Sequence, residues 1–409
     1  FDRLINSYSY GGLFRNDMAW FQGDAVRKNP NLKPETTISK EIGAEVRLLD
    51  GRLTADVTYY DKYTRDQIVE SELSYLSNYQ RVIINSGKIS NKGWEISVSG
   101  VPVKVKNFEW KTIFNWSKNN SMVESLPEGI DKIQIGSGVY NVKSYAEVGK
   151  PYGAIYAKTF KRDAEGYILC QLDGSPKEGQ DYEYLGCVQA DWRGGWNNVF
   201  RLGNFSFSVM FDFQKGGKFF SQTSIQSSVD GQSVKSLEGR DADFFSRKIL
   251  GESDEERYGF MRPQNANTPT ANGQIYPDWG RPKGVVLPNC RYDEDVEGLA
   301  GQQVLGYCTP ERYWMHYTSR DISRFIYDAS YVKLREITVS YDLPKKWLRK
   351  TPFQTFRVAA VGRNIATLFA NTPHGLDPQA TSTTGNAQGF ERGFNLPSAT
   401  YGFDIKVSF

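Results

Sequence analysis

Apolar and polar residues alternate at nearly every step from Ser398 to Phe409. Tyr401, Phe403, Ile405, Val407 and Phe409 fall on one side, and Thr400, Gly402, Asp404, Lys406 and Ser408 on the other. A period of two belongs to a strand whose two faces meet different surroundings. The same pattern recurs eight more times, at about the ten-residue length that a membrane-spanning strand needs. The predicted strands are Thr37 to Leu49, Arg52 to Lys62, Lys92 to Val101, Phe108 to Lys118, Trp192 to Leu202, Phe205 to Gln214, Tyr331 to Tyr341, Phe356 to Ile365 and the terminal one. Phe205, Phe207, Val209, Phe211 and Phe213 against Ser206, Ser208, Met210, Asp212 and Gln214 form one of the most regular.

The links between these strands alternate in length. Asp50-Gly51, a short turn at Pro102, Gly203-Asn204 and the stop at Asp342-Leu343-Pro344 follow odd-numbered strands. Residues 66–90, 119–191, 215–330 and 366–395 follow even-numbered ones. Short turns on one side and long loops on the other are the asymmetry of an outer-membrane barrel. A soluble sandwich has no reason to sort its loops this way. The expected class is therefore all-β, a multi-pass transmembrane antiparallel β-barrel whose last strand descends and ends at Phe409 in the periplasm. Residues 1–36 lack clear alternation and are expected to be an extracellular loop segment, with 37–409 as barrel. About nine strands with an unclosed edge cannot sit in lipid alone, because edge amides there would go unsatisfied. Further strands are expected from upstream sequence, another chain or an oligomer. A signal peptide is absent, as expected of a mature or partial chain.

Composition refines this picture. The 24 Tyr, 24 Phe, 9 Trp and 38 Gly suit strands, tight turns and aromatic girdles. No run approaches the roughly 20 apolar residues of a membrane helix. The net charge of +3, without a basic block, argues against nucleic acid. Cys170, Cys187, Cys290 and Cys308 lack metal-ligand spacing, and His316 and His374 are the only histidines. Two local disulfides, Cys170–Cys187 and Cys290–Cys308, fit an oxidising exterior, with free packed thiols as the alternative.

Several segments together resemble a known family. They are Asn29-Pro-Asn-Leu-Lys-Pro-Glu-Thr-Thr37, Asn91-Lys-Gly-Trp-Glu95, Asp328-Ala-Ser-Tyr-Val-Lys-Leu-Arg-Glu336, Tyr341-Asp-Leu-Pro344, Gly362-Arg-Asn-Ile365 and Asp377-Pro378. The ensemble, from about Asn29 to Phe409, resembles the SusC family of TonB-dependent outer-membrane transporters of Bacteroidota. The resemblance implies a plugged barrel of about 22 strands, of which this chain supplies the carboxyl-terminal part without the plug. It also implies nutrient import, most readily of a glycan, with an oligopeptide as the alternative substrate. The implied partners are a SusD-like surface lipoprotein, the TonB–ExbB–ExbD system acting through the plug, and outer-membrane lipid. A two-plus-two assembly of barrel and lipoprotein is implied, with room for a surface glycan-binding protein or a glycoside hydrolase. Phe409 would serve as a membrane-insertion signal. A passive porin and a structural or adhesion barrel are the competing classes.

No catalytic constellation is present, so no enzyme is expected. The Asp293-Glu294-Asp295 and Asp163-Ala164-Glu165-Gly166 clusters lack full calcium-loop spacing. Solvated loop charge is the expectation there, with no cofactor beyond calcium held in a loop or by a partner. Lys333 and Arg335 share a strand face and are expected to be solvated in a water-filled lumen. The candidate substrate contacts are Tyr276, Trp279, Arg281, Tyr313, Trp314 and His316 in the longest loop, where aromatic faces beside polar donors suit sugar rings or a peptide.

Overall fold

Asp50-Gly51 closes a hairpin between β1 (Thr36–Leu48) and β2 (Leu53–Glu72). The same sheet continues through β3 (Arg81–Val105), β4 (Phe108–Ser125), β5 (Trp192–Leu202), β6 (Phe205–Lys215), β7 (Tyr331–Asp342), β8 (Thr355–Ala370) and β9 (Thr400–Ser408). Each strand is antiparallel to its neighbour in chain order, and β1 and β9 are the two edges of this meander. The computed structural model describes residues 6, 8–14, 18–73, 79–237, 285–308, 312–373, 375–379, 388–393 and 398–409. No helix among them is long and apolar enough to cross a membrane.

Register keeps one apolar face continuous across the sheet. Tyr401, Phe403 and Ile405 of β9 stand opposite Gly362, Ala360 and Val358 of β8. These in turn oppose Ile337, Val339 and Tyr341 of β7, which meet Val209, Phe207 and Phe205 of β6. Further along, Phe211, Trp196, Phe114 and Val98 form one row. Tyr59 pairs with Trp94, ring centres 4.9 Å apart, and Phe205 with Tyr341 at 4.6 Å. Cross-strand aromatic pairs of this kind contribute roughly 0.2–1 kcal/mol each. In the adjacent row Gly194 stands between Phe213 and Trp116, and the Phe213 ring lies over it; a methyl group there would stand 2.2 Å from that ring. Exposed Phe403, Tyr401 and Ile42 belong to this face and need lipid rather than water around them.

The other face is polar. It carries Asp56, Glu95, Ser97, Asn115, Arg193 and Asp212 on neighbouring strands. Here the Asn91-Lys-Gly-Trp-Glu95 motif has a local explanation. The Tyr60 ring lies across Gly93, where a methyl group would meet it at 2.4 Å. The Tyr60 hydroxyl donates to Asn119 Oδ1 at 3.0 Å, and Asn119 Nδ2 donates to Asn91 Oδ1 at 3.1 Å.

Strand lengths differ from expectation at the long-loop end. β2 has 20 residues and β3 has 25, so both continue well beyond a span. The predicted loop 66–90 is mostly a protruding hairpin. Its side chains bury against protein, not lipid: Val69, Ile89 and Val123 pack with Ile133, Ile135 and Ala146. Ahead of β1, Tyr8–Phe14 and Met18–Gly23 form a hairpin, and Val26–Arg27 pairs parallel with β3. The link after β7 includes a short helix, α2 (Lys345–Leu348).

The long loops build a lobe of three small sheets at that end. One joins Lys132–Ser137, Lys143–Glu147, Ala154–Ala157 and Glu183–Cys187. A second joins Ile168–Cys170, Val285–Tyr292 and Gln303–Cys308. A third joins Lys218–Ser221, Ile326–Asp328 and Phe390–Glu391, next to helix α1 (Gln222–Val229). The buried Glu391 accepts hydrogen bonds from Ser221 Oγ and Thr223 Oγ1, both at 2.6 Å, and ties the last loop to this helix. Asp163–Gly166 is a tight turn, with Asp163 N–H donating to Tyr167 O at 3.0 Å and Leu169 N–H to Lys161 O at 2.8 Å, while Ala154–Ala157 and Ile168–Cys170 on either side belong to different sheets. Val234–Leu237 is a single 3-10 turn.

The expected cysteine pairing is corrected by this topology, and neither expected pair is bonded. Cys187 lies beside Ala154 in the first sheet, whereas Cys170 is in the second, so they are not neighbours. Cys290 stands opposite Val304, four positions from Cys308 along that strand. That offset is about 13 Å, beyond the roughly 7 Å over which a disulfide can form.

Arginine in place of Val209, at the middle of the apolar face, is expected to destabilise the membrane-inserted full-length protein by about 2–4 kcal/mol. The neighbouring Ser208→Arg points to the polar face and is expected to leave stability near the parent value. Urea unfolding in bilayers, followed by gel-shift of the folded barrel, measures both.

Candidate functional site

On the polar face, the sheet curves around a concavity of about 470 Å³ whose polar lining includes Asp56, Glu95, Asn115, Arg193 and Asp212. Each of these lies on a different strand, and the ladder register alone brings them level. Asp56, Glu95 and Arg193 are exposed. Arg193 Nε donates to Gln214 Oε1 at 2.9 Å. The wall therefore offers both charge signs, amides and hydroxyls to whatever enters.

At one edge of the concavity the strands are irregular. Met210 pairs with Glu336 and Phe211 with Leu334, which leaves Arg335 as the extra residue of a bulge. On the facing strand Asn364 takes a positive φ of 55° at the same level. A bulge re-aims a side chain without ending the ladder. Arg335 Nε donates to Asp212 Oδ2 at 3.2 Å, its Nη1 to Asn364 Oδ1 at 2.7 Å, and its Nη2 to Gln379 Oε1 at 2.7 Å. Lys333 Nζ donates to both Asp377 carboxylate oxygens at 2.6 Å and to Gln379 Oε1 at 2.9 Å. Gln379 Nε2 donates to the Tyr331 hydroxyl at 2.5 Å. Three separate sequence motifs thus meet here: Lys333 and Arg335 from one, Asn364 from a second and Asp377 from a third.

Lys333 corrects an expectation. Its side chain is 3% exposed and is paired, not solvated by an open lumen. A buried ammonium is tolerated only when its charge and protons are matched, which Asp377 and Gln379 do. The segment 375–379 is thereby held against the wall.

The expected aromatic contacts are placed differently. Tyr276, Trp279 and Arg281 lie outside the described residues. Tyr313 and Trp314 are 1% and 2% exposed and belong to the core of the second small sheet. They offer no face to a ligand, because Arg324 covers both rings at 5.5 and 5.7 Å from their centres. His316 is exposed, one turn away on the same short helical stretch. The acidic clusters are filled by the protein's own cations. Asp293 accepts from Lys161 at 2.9 Å and Lys177 at 2.7 Å, and Asp163 from Arg291 at 2.9 Å. Ammonium and guanidinium groups thus neutralise these carboxylates. Phe409 is exposed, its ring 5.2 Å from that of Phe353.

The residues that sequence reasoning missed are Asp56, Glu95, Arg193, Asp212 and Gln379. All but Gln379, which lies in the last loop, were visible as the second half of the alternation. Their convergence depends on strand register.

Residues 4–365 match the family described as TonB dependent receptor-like, beta-barrel. The chain belongs to this family. It is an outer-membrane family of transporters, not of enzymes. The chain is 25% identical over 395 residues to TonB-dependent receptor P3 of Formosa agariphila, covering 91% of this chain and 33% of that protein. It is 29% identical over 104 residues to TonB-dependent receptor SusC of Bacteroides thetaiotaomicron, covering 25% of this chain and 10% of that one. The SusC-like resemblance read from the motifs is thus carried by named relatives in Bacteroidota. Among solved structures, the RagAB peptide transporter matches with a TM-score of 0.62 at 15% identity, over 100% of this chain and 39% of that one. The closed-closed state of the RagAB peptide importer gives 0.63 at 16%, again over 100% of this chain and 39% of that one. At such identity the likeness is one of fold. The chain spans about a third of the length of the curated relative P3.

Two outcomes follow for this TonB-dependent receptor barrel. Asp377→Ala strands the Lys333 charge and is expected to cost about 3–5 kcal/mol, concentrated in the wall contact. Hydrogen exchange of 375–379 should rise, and pairing it with Lys333→Met should recover most of the protection. Burial alone would raise the Asp293 carboxyl, but Lys177 and Lys161 outweigh it and hold the group down at about 2 against an ordinary 3.8. A depressed carboxyl stabilises the folded lobe above its ordinary value, and that contribution is lost as pH falls from about 4 to about 2. The loss is about 2 kcal/mol. Limited proteolysis of the lobe across that window should show it, and Asp293→Asn should remove that pH dependence.

Proposed function

We propose that this chain forms the carboxyl-terminal wall of a TonB-dependent importer that takes up an oligomeric nutrient across the outer membrane. The observation carrying this reading is the sheet's two-sided character: a continuous apolar face registered against a polar, charged, concave face. A wall of that kind separates lipid from an aqueous route and performs no bond chemistry. Energy would come from the periplasmic TonB–ExbB–ExbD system through a plug, and capture from a SusD-like lipoprotein over the long-loop end.

For the substrate class, the wall favours an oligopeptide. Arg193 with Asp56 and Glu95 offers complementary partners for peptide termini and charged side chains, and amides such as Asn115 suit peptide backbones. RagAB, whose fold this chain shares, is a peptide transporter, which supports the same reading. A glycan was the sequence expectation, but Tyr313 and Trp314 are core and supply no stacking platform. Glycan import remains the second reading through the SusC relative.

Uptake of labelled oligopeptides and of oligosaccharides, measured in cells with and without the full-length gene, tests this. Deletion should abolish peptide uptake, and so should loss of TonB. Retained uptake without TonB would favour a passive porin. Unchanged uptake with lost surface binding would favour an adhesion barrel. Arg193→Ala with Glu95→Ala should lower peptide uptake severalfold while leaving the amount of folded barrel unchanged.

A further inference from the structure

The second small sheet brings together two loops that are far apart in sequence. Ile168–Cys170 belongs to the loop after β4, and Val285–Tyr292 to the loop after β6. They pair in parallel, with Ile168 opposite Cys290 and Cys170 opposite Tyr292. Cys170 and Cys290 are thus two positions apart on adjacent strands and on one face, about 8 Å between Cα atoms by that register, so closing a bond draws these two short strands together by about 1 Å. Both side chains enter the same hydrophobic core, 0% and 1% exposed. Their thiols are within hydrogen-bonding contact of each other. The strand is bulged between Leu287 and Cys290, with Asn289 at a positive φ of 59°, which turns Cys290 inward. Diagonal to it on the next strand, Gly306 leaves room for sulfur, since a methyl group there would stand 2.5 Å from Cys290 Sγ.

We propose that Cys170 and Cys290 are a disulfide site that staples these two extracellular loops to each other. Other roles for the cluster fit less well. Among the described residues no three Cys, His, Asp or Glu side chains converge as a metal site. Cys308 shares the core but stands along the strand from Cys290, as the register requires. Cys187 is in another sheet, where it donates to Tyr152 O at 3.6 Å.

The step is thiol–disulfide exchange with a disulfide-bearing oxidant, an oxidoreductase or a small-molecule disulfide of the export compartment. One cysteine thiolate attacks a sulfur of that disulfide, forms a mixed disulfide and expels one thiolate. The second cysteine then attacks the mixed bond, forms the Cys170–Cys290 bond and expels the other. Two protein sulfurs are oxidised, two oxidant sulfurs are reduced, and the two thiol protons pass to the departing thiolates. The pair is sealed once the lobe has closed, and the neighbouring thiol together with burial pushes the Cys170 thiol up. Exchange therefore belongs to folding, before the core forms. The resulting covalent ring encloses β5 and β6, so it constrains the unfolded chain strongly.

The full-length protein, trapped with N-ethylmaleimide in denaturant directly from outer membranes, should yield a peptide linking Cys170 to Cys290. Cys187 and Cys308 should carry the maleimide label. Label on all four cysteines, or a link between any other pair, would overturn the proposal. Proteolysis of the lobe should quicken at least about tenfold when a reductant is added to partly denatured protein. Cys290→Ala should be equally fast with and without reductant, which separates loss of a bond from loss of packing. Equal reductant sensitivity of parent and variant would also count against the staple. None of these readouts involves uptake, so they stand or fall apart from the import reading.

Discussion

A backbone amide in hydrocarbon has no water to bond, so every strand in the span must find its partner in the next strand. That constraint governs the rest of this protein. It explains why the strands pair in chain order and why the ladder resumes after each irregularity, at Gly100–Val103 near a turn and at Arg335 and Asn364 on the polar side. At the latter the Arg335 side chain bonds Asp212, Asn364 and Gln379.

A single alternation serves two solvents only while the strands stay in the membrane. Above it, β2, β3 and β4 continue as strands but change surroundings. Val69, Ile89 and Val123 turn to a protein core, and the loops they join fold over them as small sheets. The lobe is consequently held by ordinary burial and by ion pairs such as Asp293 with Lys161 and Lys177. The wall below is held by its ladder. These two regimes predict different sensitivities, to acid in the lobe and to charge on the apolar face in the wall.

The charged cluster on the polar face joins the two. Lys333 and Arg335 lie on the wall, and Asp377 and Gln379 come from the last loop. Their bonds place a loop segment against the barrel interior beside the open concavity. Motifs that looked like separate signatures along the chain are contacts between distant elements.

The alternation alone determined the nine strands, their faces, the turns at Asp50-Gly51 and Gly203-Asn204, and the loop asymmetry. These are local properties, set by side chains two residues apart and by short turns. Tertiary structure decided what local pattern cannot encode. It continued β2 and β3 past the membrane, sent Tyr313 and Trp314 into a core, set Cys170 beside Cys290, and closed Asp377 over Lys333. In each case the deciding contact lies between segments tens of residues apart. Their partners are chosen by register and by the space left in a packed lobe, which a period of two does not record.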